Sequence, residues 1–232
     1  SDVCSSDLGR GPSPIVSLNR RMRKVPMFRL AMATALSLGL AAAATAAELV
    51  LLNENVDEVI AWASSGEGTP ENSADAYRGA ESLYIGATGG DAQNYNGAVA
   101  DWAWQIVEDP TAADEFRYIQ FAWKKDGGTS IMLQLSGDPD GWGHRYHSGD
   151  NVKDWNPSLE VQPNIPVDWE VQTADLFADW GAFSLLGLAF SAGDGVGAYY
   201  DDIRLGQTEV FAAVEAKDKV ATTWADLRAD IR

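Results

Sequence analysis

The sequence predicts an all-β protein, a two-sheet antiparallel jelly-roll sandwich with a C-terminal helix. About nine short segments have the alternating or continuous apolar pattern of strands, and turn signals separate them. Strands do not alternate with helices along the chain, which argues against a parallel sheet. The 232 residues include nine tryptophans and 22 glycines, a composition that favours short strands and tight turns.

The strands that close the predicted sandwich lie at 181–206, GAFSLLGLAFSAGDGVGAYYDDIRLG. Residues 183–190 are apolar on both faces, as in a strand buried between two layers. The glycines that follow permit positive φ where the chain reverses. In the return strand, the two-residue repeat places Asp201 on the same face as Ile203 and Leu205, towards the core. A carboxylate in that position needs N–H donors from a loop or a bound cation.

Strands and loops alternate in the N-terminal half of the exported chain. Apolar or alternating runs predict the strands, and polar, glycine-rich runs predict the loops. The strands are predicted at 48–53, 78–86 and 98–107, and the loops at 63–76 and 89–97. By the two-residue repeat, Glu81 has the same inward parity as Asp201.

The segments 115–125 and 129–136 are predicted as an antiparallel pair. Each has an apolar residue at every second position, and the intervening Asp-Gly-Gly at 126–128 is a strong hairpin signal. Further strands are predicted at 159–162 and 167–173, with one or two helical turns at 174–180.

A C-terminal helix is predicted within 207–232, which gives the β-sandwich domain the bounds 48–206. Thr208 is the predicted N-cap of this helix. Its apolar residues recur at helical spacing and form one stripe. They are Val220, Trp224, Leu227 and Ile231.

The N-terminal residues predict export. Residues 1–8, SDVCSSDL, resemble the translation of a sequencing-library adapter, and we assign 1–21 to an artefactual or untranslated leader. A signal peptide is predicted at 22–47, where a basic stretch precedes an apolar run of about fifteen residues and the small-x-small sequence ATA. That run is too short to span a bilayer comfortably. We therefore expect a secreted or periplasmic protein with no membrane span after cleavage.

The charge of the exported chain disfavours nucleic acid as a partner. Residues 1–47 contain six of the 17 basic and two of the 34 acidic residues, so the rest has a formal net charge of −21. Such a surface repels phosphate backbones. Because the single cysteine, Cys4, lies in the leader, stability must come from packing and from any bound metal ion.

Four sequence motifs carry a resemblance to a known superfamily. They are YRGAESLYI, then FRYIQFAWKK followed by DGG and TSIMLQL, then W-x-V-x-T-x-DLF-x-DWG, and finally YYDDIRLG. From 77 to 206 the chain resembles the galactose-binding-like jelly rolls, which include several families of carbohydrate-binding modules. The resemblance implies the sandwich fold and a binding function, but it does not identify the ligand, because such modules differ mainly in their loops.

The resemblance also implies a structural calcium ion. In many such jelly rolls an acidic residue of the closing strand helps to hold Ca²⁺, and Asp201 matches that position. Glu81 is the natural second carboxylate, since hard oxygen ligands suit this ion. The alternative is that Asp201 accepts hydrogen bonds from loop amides and binds no ion.

Aromatic residues at 142–155 form the candidate ligand site. Their faces stack on the apolar CH patches of sugar rings, and nearby polar groups bind the hydroxyls. The candidate residues are Trp142, His144, Arg145, Tyr146, Asp150 and Trp155. The alternative is that these tryptophans cover a sheet edge, in the way that Trp102, Trp104, Trp123 and Trp169 are predicted to pack in the core.

Three functions remain open, and the first is preferred. The chain is predicted to be a non-catalytic module that binds carbohydrate through aromatic-lined loops. The alternatives are a structural or adhesive domain that binds a cell-envelope component, and a polysaccharide hydrolase or lyase. The two histidines, His144 and His147, face opposite sides of a strand, which argues against a shared metal. No GxSxG elbow is present, whereas paired carboxylates are not excluded by the sequence.

Overall fold

A computed structural model describes residues 46–87 and 89–212. The adapter-like leader and nearly all of the predicted signal peptide lie outside these residues, as does the predicted C-terminal helix beyond 212. The described residues 207–212 form bends and irregular chain. Neither of the helices in the described part of the chain is long and apolar enough to cross a membrane.

The described residues form short strands and two helices. In chain order, the strands are β1 (Glu48–Leu52), β2 (Ser65–Gly66), β3 (Thr69–Ser73), β4 (Ser82–Gly86), β5 (Ala92–Asn96), β6 (Trp104–Ile106), β7 (Glu115–Phe116), β8 (Tyr118–Lys125), β9 (Ser130–Asp138), β10 (Gly141–Gly149), β11 (Leu159–Gln162), β12 (Glu170–Asp175), β13 (Phe183–Ala192) and β14 (Ala198–Gly206). The helices are α1 (Val56–Trp62) and α2 (Leu176–Trp180), and a 3₁₀ turn spans Val152–Asp154.

These strands form two sheets, as the sequence predicted. A six-stranded sheet has the order β12-β8-β14-β4-β3, with β1 also paired to β14. An eight-stranded sheet has the order β11-β10-β9-β13-β5-β2, with β6 beside β13 and β7 beside β6. All pairs are antiparallel except β10 with β11 and β6 with β7. The all-β sandwich predicted from the sequence is confirmed.

The core lies between the two sheets and contains alternate side chains from each strand. From β8 it receives Ile119, Phe121 and Trp123, all with no exposed surface. From β9, in the other sheet, it receives Leu133 and Leu135, which are equally buried. Full burial of such a side chain contributes about 1.5–3 kcal/mol. The two-residue repeat therefore fixes which face of each strand is left outside.

Two connections predicted as hairpins instead cross from one sheet to the other. β8 belongs to the six-stranded sheet and β9 to the eight-stranded sheet, so the turn at 126–129 joins the layers. The connection at 193–197 likewise joins β13 to β14 across the sandwich. The predicted pairing of 115–125 with 129–136 is therefore wrong. Glycine permits the chain to reverse in either arrangement, so the turn residues alone do not distinguish a hairpin from a crossing.

The two crossings lie side by side around a buried lysine. Lys125 has no exposed surface, and its Nζ donates hydrogen bonds to the carbonyl oxygens of Gly193 at 2.8 Å and Val196 at 2.6 Å. Asp194 accepts hydrogen bonds from the backbone N–H and the Oγ1 of Thr129, both at 2.6 Å. Burial lowers the pKa of Lys125 to about 8. One cation thus holds the two crossings together.

A bulge in β14 changes the predicted face of Asp201. The register against β8 shifts between Asp201 and Arg204, and Asp202 has a positive φ of 48°. Asp201 pairs with Ala122 on the outer face, whereas Ile203 and Leu205 belong to the core. The prediction that these three residues share one face is wrong, because the bulge adds a residue to the repeat. Asp201 is nevertheless fully buried.

Several predicted loops contain short strands. The segment 63–76 includes β2 and β3, and 89–97 includes β5. Only the end of the predicted strand at 98–107 is extended, as β6. Trp169 lies on the outer face of the six-stranded sheet rather than in the core, with its ring 6.2 Å from that of Tyr199. These differences matter for the site, because β5 supplies part of it.

Candidate functional site

A cleft of about 290 Å³ lies on the outer face of the eight-stranded sheet. Strands β5, β9 and β10 and the turn after β10 contribute its walls. Its lining residues are Gln93, Tyr95, Gln134, Trp142, Arg145 and Trp155. They come from elements that are separate in the chain, and the sheet brings them together.

Strand register aligns four side chains in a row across the sheet. In the pairing of β13 with its two neighbours, Ala189 lies opposite both Tyr95 and Gln134. Gln134 in turn lies opposite Arg145. Residues opposite each other in neighbouring strands share a face. The central strand, β13, contributes only small side chains to this face, those of Ala189 and Ser191. The surface is therefore recessed at β13, and the longer side chains of the neighbouring strands form its sides.

Aromatic side chains bound the cleft at both ends. At one end, the rings of Tyr95 and Trp142 make an edge-to-face contact, with centroids 5.7 Å apart and an interplanar angle of 87°. Trp142 packs over Gly97, where an added Cβ would lie only 3.2 Å from its Cζ2. At the other end, the ring centroid of Trp155 is 5.8 Å from Arg145 Cζ and 5.2 Å from Lys153 Nζ. Both ends therefore offer large aromatic rings held by their neighbours.

A hydrogen-bond network crosses the floor between these rings. Arg145 donates from Nε to Gln134 Oε1 at 2.9 Å and from Nη1 to the carbonyl oxygen of Pro157 at 3.1 Å. Gln134 donates from Nε2 to Ser191 Oγ at 2.9 Å and to Gln93 Oε1 at 3.1 Å. Such a network fixes the orientation of each amide. The floor offers a ligand both hydrogen-bond donors and acceptors at defined positions.

Half of the residues predicted for the ligand site lie in this cleft. Trp142, Arg145 and Trp155 line it, and their contact with a ligand stays a prediction. His144 and Tyr146 alternate with Arg145 along β10, so both point to the inner face. The two are buried, with exposed fractions of 2% and 1%. Their proposed contact with a ligand in the cleft is therefore not supported.

The two inward-facing residues, His144 and Tyr146, pack against other buried side chains. The ring of His144 stacks on Phe183 with centroids 4.0 Å apart, and burial lowers the pKa of this histidine. Tyr146 donates a hydrogen bond from its hydroxyl to Asp179 Oδ2 at 2.8 Å and accepts one from Trp180 Nε1 at 3.0 Å. Burial raises the pKa of the Tyr146 hydroxyl, and the bond to Asp179 raises it further.

Asp150 lies elsewhere. It lines a separate, open cleft with residues 163–165 and Val167, and its backbone N–H donates to the carbonyl oxygen of Thr129 at 2.8 Å. The sequence prediction instead missed Gln93, Tyr95 and Gln134. The alternation in AQNYN at 92–96 was an available signal for β5, but the glycines around it favoured a loop.

The two carboxylates predicted to hold calcium have different partners. Asp201 Oδ2 accepts a hydrogen bond from the backbone N–H of Arg78 at 2.8 Å, and Oδ1 accepts one from that of Asp202 at 2.6 Å. Glu81 Oε2 accepts from Asn72 Nδ2 at 2.8 Å. Within 46–87 and 89–212, no group of three or more His, Cys, Asp or Glu is arranged to hold a metal ion. As arranged, these residues do not fit a calcium site, and the ion stays a prediction.

Among residues 46–87 and 89–212, no carboxylate lines the cleft. Three of its six lining residues are aromatic and bound its two ends. The other three form the floor, which consists of two side-chain amides and one guanidinium. Hydrolysis of a glycosidic bond generally requires two carboxyl groups about 5–10 Å apart. The groups present suit reversible binding by stacking and hydrogen bonding.

Comparison with known proteins gives likenesses only at the level of solved structures. A scan of protein-family models found no match. A search of curated proteins also found none. Among solved structures, the chain is similar to a family 29 carbohydrate-binding module from Piromyces equi, with 8% identity, 71% of this chain and 92% of that chain covered, and a TM-score of 0.40.

Two further structures illustrate the range. A family 30 carbohydrate-binding module is 15% identical, with 68% of this chain and 82% of that chain covered and a TM-score of 0.41. The glycoside hydrolase domain of Endo-D from Streptococcus pneumoniae R6 is also 15% identical, with a TM-score of 0.41. This match covers 63% of this chain but only 22% of the hydrolase chain. Carbohydrate-binding modules are thus prominent among the similar structures, and no functional residue is transferred from any of them.

Proposed function

We propose that this chain is a non-catalytic carbohydrate-binding module and that its ligand lies in the cleft of the eight-stranded sheet. One observation carries the proposal. Aromatic rings at both ends, Tyr95 with Trp142 and then Trp155, flank a floor of hydrogen-bonded Gln134 and Arg145. The sequence predicted binding through loops. The proposed binding surface is instead a sheet face, completed by the turn that contains Trp155.

The chemistry of the lining matches that of a sugar chain. Pyranose rings have apolar CH faces, which pack against the faces of tryptophan and tyrosine. Sugar hydroxyls both donate and accept hydrogen bonds, and the amides of Gln93 and Gln134 likewise contain both kinds of group. Each amide is already held by a neighbour, so little side-chain freedom is lost on binding. An open groove across the strands suits a chain of sugars better than a small enclosed molecule.

The described residues place no carboxylate in the lining, which favours binding over cleavage. His144 is buried on the other face of β10, and burial lowers its pKa. We therefore propose no hydrolase or lyase activity. Export to the periplasm or medium, which the sequence predicts, is the setting in which such a module meets polysaccharide.

The direct test is affinity electrophoresis and calorimetry with a panel of soluble polysaccharides. The wild-type chain is expected to be retarded by at least one of them. Trp142→Ala and Tyr95→Ala are each expected to weaken that binding by about tenfold or more, because stacked aromatic residues dominate such interfaces.

The matched control is Trp169→Ala. This tryptophan lies on the outer face of the other sheet, where its Nε1 donates to Asp75 Oδ1 at 2.9 Å. Trp169→Ala removes a ring of the same size as Trp142→Ala does, and we expect polysaccharide binding to stay unchanged. Failure of every polysaccharide to bind would overturn the proposal and favour a structural or adhesive domain of the cell envelope. Release of new reducing ends would show instead that the chain is a hydrolase or lyase.

A further inference from the structure

Arg145 differs from the other arginines in the described residues. Arg78 pairs with Asp202 at 2.8 Å, Arg117 with Asp175 at 2.7 Å, and Arg204 with Glu48 at 2.9 Å. Each of these guanidinium groups is thus neutralised by a carboxylate. Within 46–87 and 89–212, no carboxylate lies within 4.0 Å of the Arg145 nitrogens.

The partners of Arg145 are neutral and leave part of its guanidinium unused. A guanidinium has five N–H donors. Arg145 uses one on Nε for Gln134 and one on Nη1 for Pro157. The other three, one on Nη1 and two on Nη2, donate to no acceptor among the residues that the structure describes. The guanidinium is held in place, and three of its N–H donors on Nη1 and Nη2 remain available.

Within the part of the chain that the structure describes, the surroundings of Arg145 do not supply a compensating charge. The other lining residues are amides and aromatic rings. Lys153, the second cation beside Trp155, is already paired with Glu67 at 3.2 Å. Burial lowers the pKa of Arg145, and none of the described acidic residues offsets that effect. A partly buried, unpaired cation is costly, and an anionic partner would relieve that cost.

We propose that the cleft selects an anionic glycan, a polysaccharide whose sugar rings carry carboxylate groups, and that Arg145 binds the carboxylate. This inference rests on the proposed function and names its ligand class. Two parallel N–H donors match the two oxygens of a carboxylate. Arg145 Cζ lies over the Trp155 ring, 5.8 Å from its centroid, so a sugar that contacts the exposed part of this ring has its substituents beside Arg145. Neutral hydroxyls would accept hydrogen bonds there but would leave the charge uncompensated.

The net charge of the chain does not contradict this ligand class. The chain after residue 47 has a formal net charge of −21, which opposes the approach of a polyanion at long range. Salt screens that repulsion beyond about 8 Å at physiological ionic strength. The contact between a carboxylate and Arg145 is much shorter than this length. We therefore expect contact inside the cleft to decide the preference when binding is measured in physiological salt.

The test compares polysaccharides that differ only in the carboxylate. Polygalacturonate, polyglucuronate and polymannuronate are each prepared in native form and in a carboxyl-reduced form, in which CH₂OH replaces the carboxylate. Calorimetry in physiological salt gives the affinity of the wild-type chain for each of the six. For at least one backbone, the native form is expected to bind about tenfold or more tightly than its reduced partner, the effect of one charge-assisted pair.

Variants then assign the preference to Arg145. In Arg145→Gln, the native and reduced forms of that backbone are expected to bind with affinities within about twofold of each other. Arg145→Lys keeps the positive charge but lacks the planar guanidinium that can contact both carboxylate oxygens. It should retain only part of the preference for the native form. The control, Lys124→Gln, removes a positive charge from the other sheet, where Lys124 contacts Asp75, and should leave the preference unchanged. Thermal melting of each variant verifies that it is folded.

The outcomes separate this inference from the proposed function. If no backbone shows a preference for its native form while neutral polymers bind in a Trp142-dependent way, the ligand class is wrong and the binding function stands. If Arg145→Gln keeps the full preference, the assignment to Arg145 is wrong. If neither these polymers nor any other polysaccharide binds, the proposed function fails and the inference fails with it.

Discussion

Asp201 accepts a hydrogen bond of 2.8 Å from the backbone N–H of Arg78, a residue 123 positions earlier in the chain. The loop before β4 thus covers the outer face of β14 and buries this carboxylate completely. Burial raises the pKa of Asp201 to about 6, although its backbone hydrogen bonds act in the opposite direction. A buried acid that is protonated more easily in the folded state makes the stability depend on pH.

The first prediction is that Asp201 makes mild acidification stabilising. Its folded pKa lies above the ordinary value of 3.8, so the native state binds the proton more tightly than the unfolded state does. This contribution is present at low pH and is lost as pH rises through about 6. Between pH of about 7 and about 5, it should raise the free energy of unfolding by about 1 kcal/mol. Asp201→Asn should lack this gain in urea unfolding measured with chelator present.

The comparison with Asp201→Asn is needed because two histidines act in the same pH range. Burial lowers the pKa of His144 and His147, so both oppose stabilisation by acid in wild type and variant alike. A gain of equal size in both proteins would contradict the role of Asp201. Added Ca²⁺ that raises the melting temperature of the wild type and removes the pH effect would instead show that Asp201 holds calcium, as the sequence predicted.

The second prediction concerns Tyr146, which the structure places in the core. Tyr146→Phe removes the hydroxyl that bonds Asp179 and Trp180. The free energy of unfolding should fall by about 1–2 kcal/mol, because partly buried partners lose a hydrogen bond. Glycan affinity should stay within about twofold of wild type. Urea unfolding and calorimetry measure the two quantities, and a loss of affinity at unchanged stability would return Tyr146 to the binding site.

The third prediction concerns the close approach of β13 and β5. A Cβ added at Gly187 would lie 2.0 Å from the carbonyl oxygen of Asn96, a backbone atom that cannot move alone. Gly187→Ala should therefore lower the free energy of unfolding by about 2–3 kcal/mol. It should also weaken ligand binding, because β5 contributes Gln93 and Tyr95.

Gly86→Ala is the control for this change. Gly86 also lies in a strand, but its nearest neighbour would be 3.4 Å from the added Cβ, an ordinary contact. We expect the free energy of unfolding to change by less than about 1 kcal/mol. Equal losses in the two variants would mean that the separation of β13 and β5 is not set by Gly187.

The sequence was informative where one pattern has one structural consequence. Alternation in 118–125 and 130–136 predicted which side chains enter the core, because a strand buried on one face needs apolar residues at every second position. It also separated Arg145 from His144 and Tyr146 in principle, since neighbours in a strand face opposite ways. The site prediction ignored that alternation along β10 and grouped the residues by position in the chain instead.

Other features depend on contacts between distant parts of the chain. Tyr95 and Gln134 meet only because β13 lies between their strands, and no local pattern specifies that order. The turns at 126–129 and 193–197 have the residues of hairpins, yet both cross between sheets. The bulge at Asp202 likewise appears only once β14 is paired with β8.

The fourth prediction concerns Lys125, which holds the two crossings together. Its pKa of about 8 lies below the ordinary value of 10.5, because burial penalises the charged form, although Asp194 and Asp91 partly offset it. The unfolded state therefore binds the proton more tightly, and the stability from this group rises as pH increases from about 8 towards 10.5. The wild type should gain about 1 kcal/mol in free energy of unfolding between pH of about 7 and about 9.

Lys125→Met keeps the length and apolar stem of the side chain but removes its charge and its hydrogen bonds. The carbonyl oxygens of Gly193 and Val196 lose a donor, which costs about 1–3 kcal/mol. Loss of the buried charge offsets part of that cost near neutral pH. The difference in stability between wild type and variant should therefore be small at neutral pH and should widen in alkali, since the variant has no group at this position to titrate. Urea unfolding across this pH range measures the difference, and parallel pH profiles for the two proteins would show that Lys125 does not titrate as its burial between the crossings requires.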